Sequence, residues 1–144
     1  NATPEPKEID KIIDFHNSQK EMGFSSNLAE IFNSGYPDGI GAEVFDAKYL
    51  FECLGNNPSK EQIEHIHLNF YNYSKKLVVN QKWCPVRTIK CPEEYKRPDL
   101  ILDVNTYDQY IFMKSLYDYL YPKNPNFSIN DIVFWYDNIY KISL

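Results

Sequence analysis

Apolar residues recur along this chain with two periods, and the points where the period changes mark its elements. Ile9, Ile12, Ile13 and His16 fall on one helical face behind Pro6, whose ring suits a first helical turn. This predicts a helix to about Ser18, with His16 as a partly buried packing residue. Met22 to Asn27 reads as a short strand, and an irregular stretch runs on to Gly35. The Pro-Asp-Gly turn of Tyr36–Gly39 then leads into alternation, with Ile40, Ala42 and Val44 set against Gly41, Glu43 and Phe45. Asp46 is placed to cap the next helix, with Tyr49, Leu50 and Leu54 inward and Gly55 as its terminator. Asn56 to Pro58 is a loop.

Ser59 followed by Gln62 is a capping-box signature, opening a helix whose Ile63, Ile66, His67, Phe70 and Tyr71 share one stripe. On such a helix His65 and His67 point in nearly opposite directions, so the two are not read as a chelating pair. Glu61 and His65, four apart, share a face as a surface ion pair. Lys76–Asn80 is a strand candidate, and Trp83 to Tyr95 is loop with an edge strand around Thr88–Lys90. The stretch Arg97–Tyr121 organises the rest. Leu100, Leu102 and Val104 mark a short buried strand, Asn105 and Thr106 a sharp turn, and Thr106 with Gln109 a second capping box. Met113, Leu116, Tyr117 and Leu120 then form one helical stripe, stopped by Pro122. After a turn over Pro122–Phe127, Ser128 with Asp131 caps a last helix carrying Ile129, Ile132, Val133, Tyr136 and Tyr140. Helices and strands mix throughout, so the class is α/β or α+β.

Composition narrows the function. The chain has 144 residues, 43% of them hydrophobic, a size that one domain over residues 1–144 accounts for. A net charge of −5 with scattered basic residues excludes a nucleic-acid footprint. No apolar run reaches membrane-spanning length and no stretch reads as a signal peptide, so no membrane partner is expected. Three cysteines at unpatterned spacings, Cys53, Cys84 and Cys91, argue for free thiols in a reducing compartment, and hence a cytoplasmic location.

Four segments, in order, carry a family resemblance: PDGIGAEVF (Pro37–Phe45), IEH (Ile63–His65), PDLILDVNTYDQY (Pro98–Tyr110) and LYDYLYPKNPNFSINDIV (Leu116–Val133). The helix IDKIIDFH that precedes them also fits. With these segments the chain resembles the C-terminal half of the spore-coat-polysaccharide-type cytidylyltransferases, relatives of the CMP-sugar synthetases. That family has a Pro-x-Gly turn before a "vEvF" strand, an "REH" helix start, and a "PDLRLTLDTPEDY" strand-to-helix unit.

The resemblance implies a partial nucleotide-diphospho-sugar-transferase-like mixed sheet flanked by helices. It also implies that the N-terminal nucleotide-binding half is missing, because no glycine- and arginine-rich phosphate loop is present. The implied activity is part of a sugar nucleotidyltransferase, joining a nucleotide triphosphate to a sugar or sugar acid for surface polysaccharide, and the implied assembly is a homodimer. Asp38, Glu43, Glu64 and His65 would face the sugar. The implied cofactor is Mg²⁺, facing Asp103 and Asn105, where it would offset phosphoryl charge as a sugar hydroxyl attacks the α-phosphate. Four positions depart from the family: its arginines are Ile63 and Ile101 here, and its two aspartates are Asn105 and Gln109. Asparagine offers magnesium an oxygen without a charge. The alternative reading is therefore a non-catalytic module kept for dimerisation or ligand binding, and the isolated chain is expected to be inactive.

Overall fold

The computed structural model describes every residue except 1, 2, 4, 22, 29, 30, 55, 56, 73, 74, 80–83, 143 and 144. Met22, Gly55, Asn56, Asn80 and Trp83, named above as boundary or loop residues, lie outside the described residues. Helix α1 covers Pro6–Asn17 with the proline in its first turn, as the pattern predicts. Strand β1 (Phe24–Ser26) is central in a three-stranded mixed sheet, with β2 (Glu43–Phe45) antiparallel on one side and β5 (Val86–Arg87) parallel on the other. Helix α2 (Ala47–Leu54) follows β2, and Asp46 Oδ1 accepts from Lys48 N at 2.8 Å. Strands β3 (Tyr71–Asn72) and β4 (Leu77–Val78) form a separate antiparallel ladder. The chain is thus a mixture of helices and small sheets, α/β in the general sense.

All three capping boxes form. Ser59 starts α3 (Lys60–Glu64), Thr106 starts α4 (Tyr107–Leu120) and Ser128 starts α5 (Ile129–Trp135). Each pairs a side-chain acceptor with backbone donors that a helix start leaves unsatisfied. Helix α4 buries Met113, Leu116 and Leu120 as the stripe requires. Helix α5 runs on into a π-helical turn over Tyr136–Tyr140, where Tyr140 meets the Phe112 ring edge-on at 4.9 Å.

Three expectations are corrected. The helix from Ser59 does not continue to Tyr71. His65 adopts φ −115° and ψ 89°, α3 ends, and a 3-10 turn follows over Ile66–Asn69. Asn69 accounts for the break, because its buried amide donates to the carbonyls of Gln62 at 3.0 Å and Ile66 at 2.9 Å. The buried strand over Leu100–Val104 contracts to one parallel bridge between Ile101 and Asp38. The in-out alternation holds over Leu100, Ile101 and Leu102, but Val104, expected on the buried side, is 46% exposed. The edge strand expected at Thr88–Lys90 lies at Val86–Arg87 instead, beside β1.

Two apolar clusters result. One gathers Tyr36, Ile40, Leu100, Leu102, Leu116 and Trp135 beneath α4 and α5. The other gathers Phe24, Phe70, Tyr71 and Cys84 on the small sheet, with Phe24 and Phe70 stacked at 4.9 Å. Cys84 and Cys91 are free and buried, and burial pushes the Cys91 thiol up to about 12, where it is inert at neutral pH. Among the described residues no helix is long and apolar enough to cross a membrane.

Candidate functional site

Antiparallel register against β1 sets Glu43 opposite Ser26, at the end of β2. Its Oε1 stands 3.4 Å from His67 Nδ1, and both side chains are about three-quarters buried. His67 reaches it because α3 ends at His65, which returns the next residues toward the sheet. The same break brings the His65 and His67 rings to 5.7 Å at 37°. The sequence expectation that they point apart is therefore wrong, since it assumed one unbroken helix. Sequence reasoning missed His67 as a site residue for that reason; the His-x-His spacing was the available signal.

Glu43, His67 and His65 thus form one half-open edge of a carboxylate and two imidazoles. Glu43 accepts hydrogen bonds, while each imidazole offers one donor and one acceptor when neutral. Such a set suits neighbouring hydroxyl groups on a polyol. Glu64, the last residue of α3, is exposed beside it, as is His65.

A second grouping forms around the Pro-Asp-Gly turn. Asp38 N donates to the Leu100 carbonyl at 2.9 Å, and Leu102 N donates to the Asp38 carbonyl at 3.0 Å. Gly39 has φ +92°, and a Cβ there would stand 3.0 Å from Asp103 Oδ1 and 3.0 Å from the Leu102 carbonyl carbon. The turn and the stretch Leu100–Asp103 therefore fit only with glycine between them. Gly39→Ala is expected to cost about 1–3 kcal/mol through its left-handed backbone, with the close approach adding to it. A lowered urea midpoint at unchanged slope measures this.

Asp103 Oδ1 is buried, with no hydrogen-bond partner among the described residues. An orphaned carboxylate oxygen is what a cation would satisfy, so Asp103 fits the Mg²⁺ that the resemblance implies. Asn105 is exposed two residues further on, and its backbone N–H donates to Gln109 Oε1 at 2.7 Å, inside the α4 cap. The six residues singled out from the sequence thus fall into these groupings: Glu43 and His65 with His67, Glu64 next in chain, Asp38 with Asp103, and Asn105 at the mouth of α4.

His16 is half-buried as expected, and its Nδ1 lies 2.9 Å from Ser25 Oγ. Burial, then the nearby Arg87 charge, hold its pKa below the usual histidine value against the opposing pull of Asp46. Ser25 is fully buried, so this pair packs α1 onto β1 rather than presenting a nucleophile. No protein-family model, curated protein or solved structure matches the chain.

Proposed function

We propose that this chain is the sugar-facing part of a sugar nucleotidyltransferase of the cytidylyltransferase type, with a nucleotide-diphospho-sugar-transferase-like fold. The observation that supports it best is the contact network Glu43–His67–His65. Two residues that the resemblance assigns to the sugar, separated by more than twenty positions in sequence, meet through a third. In this reading Glu43 accepts from sugar hydroxyls, His65 and His67 fix the sugar's orientation, and Glu64 and Asp38 flank it. Asp103 is the residue that would hold Mg²⁺, with Asn105 adding a neutral oxygen. The ion, when bound, supplies positive charge to the triphosphate. The chain's own contribution is to position the attacking hydroxyl.

The test is pyrophosphate release from CTP with a panel of sugars and sugar acids, on the native-length polypeptide. Glu43→Gln is expected to lower kcat/KM by about 10–100-fold, the loss of a charge-assisted hydrogen bond to substrate. An unchanged value removes Glu43 from the site. The 144-residue chain alone, titrated calorimetrically with CTP and Mg²⁺, is expected to give no saturable heat at sub-millimolar ligand.

A second reading, a non-catalytic module that dimerises or binds a ligand, is favoured by two side chains. Ile63 and Ile101 stand where the family has arginines and are 62% and 47% exposed. Exposed apolar groups at positions that elsewhere carry charge suit a homodimer contact rather than anion recognition. No pyrophosphate release with any sugar, from a polypeptide that still binds CTP, selects this reading.

A further inference from the structure

A cavity of about 210 Å³, lined by neither Glu43 nor His67, lies between the C-terminal end of α4, the start of α5 and the segment before α1. Its volume is below the ~300–1,000 Å³ of drug-sized sites, so its ligand is small. Three aromatic rings wall it. Tyr117 meets Phe127 edge-to-face at 5.2 Å and 79° and Tyr121 at 6.3 Å and 36°, so the three rings that line the cavity form one aromatic group. Two polar groups line it as well. Glu5 Oε2 accepts from Ile129 N at 3.2 Å, and no other hydrogen bond of this carboxylate exists among the described residues. Thr3 is 8% exposed, and its buried hydroxyl has no partner among the described residues. Among the described residues no basic side chain lines the cavity.

We propose that this cavity binds a small organic cation carrying an alkylated ammonium group. Ring faces attract such a group through their quadrupoles, and the Glu5 carboxylate supplies the counter-charge. Among the described residues the one charged group of the lining, Glu5, is negative, which disfavours nucleotides and sugar acids here. This site is therefore independent of the sugar-facing edge and does not rest on the nucleotidyltransferase reading.

The probe is choline, compared with 3,3-dimethylbutan-1-ol, which has the same shape without the charge. Both are titrated into the isotopically labelled chain while the Ile129 and Ile132 resonances are followed. Choline is expected to shift them saturably in the millimolar range, with the neutral analogue about tenfold weaker or more, as a desolvated cation–π contact and one carboxylate require. Glu5→Gln keeps an acceptor for Ile129 N and is expected to weaken choline about tenfold while leaving the neutral analogue unchanged. Tyr121→Leu, at an exposed position, should weaken choline as well and checks the ring contribution without relying on Glu5. Equal affinities for choline and its neutral analogue overturn the proposal. So do choline shifts no larger than those of sodium chloride at equal ionic strength.

Discussion

Replacing Glu8 with alanine is expected to cost the fold about 3–5 kcal/mol, the range for removing one partner of a buried charged network. Glu8 is 2% exposed on α1. Its Oε2 accepts from Tyr36 Oη at 2.7 Å, and its Oε1 accepts from Lys11 Nζ at 2.5 Å and from Tyr95 Oη. Burial by itself would raise the pKa, but the hydrogen bonds from Lys11, Tyr95 and Tyr36 outweigh it and hold the carboxyl below its ordinary value of 4.5. A depressed folded-state pKa means stabilisation that is complete above the unfolded value and lost as pH falls through the folded one. Urea midpoints measured from pH 7 downward should therefore fall for the native chain once pH drops below about 4.5, and more shallowly for Glu8→Ala. Parallel pH profiles would mean that Glu8 is not the group being titrated. The two tyrosines are shifted the opposite way, first by burial and then by the bond to Glu8, so they remain donors throughout this range. Tyr36→Phe removes one donor to a charged acceptor and should cost less, about 1.5–3 kcal/mol.

Asn27→Ala is expected to lower stability by about 2–4 kcal/mol, from the loss of two hydrogen bonds of a fully buried side chain at ~0.5–1.5 kcal/mol each and the void it leaves. Asn27 is fully buried. Its Oδ1 accepts from Ala42 N at 2.8 Å, and its Nδ2 donates to the Glu8 carbonyl at 3.1 Å. One side chain thus joins α1, β1 and the stretch that delivers Glu43. Gly41 shows how tightly: a Cβ there would fall 2.5 Å from Asn27 Oδ1. Because Asn27 and Glu8 share a partner segment, the double variant should lose less than the sum of the two single losses. Strict additivity, read from denaturation midpoints, would show that the two tethers act separately.

The candidate site was legible to different depths at its two ends. Glu43 is singled out by the resemblance, while turn chemistry and alternation place it on a short strand, and β2 is there. His65 was picked out only by resemblance, and its neighbour His67 was dismissed by a rule that holds for an unbroken helix. What broke that helix is the Asn69 side chain bonding to two carbonyls of its final turns. Such a competition between a side-chain amide and the backbone ladder is invisible to a count of apolar spacing. In the same way, Leu100–Val104 reads as a strand by composition, yet a ladder needs a neighbour, and among the described residues only Asp38 supplies one.

By itself the sequence determined the local starts and stripes of this protein. Ser59, Thr106 and Ser128 each open a helix because the bonds involved span three residues, and the α4 stripe buries Met113, Leu116 and Leu120 because helical geometry repeats every few positions. Tertiary structure decided everything that joins distant segments. It placed an acidic residue of α1 between two tyrosines, set Asn27 across to Ala42, brought Gly39 against Asp103, and met Glu43 with His67. The physical reason is that a polar side chain can be buried only where donors and acceptors from other parts of the chain arrive to satisfy it. Those partners have no fixed spacing in sequence, so they exist only once the chain has folded.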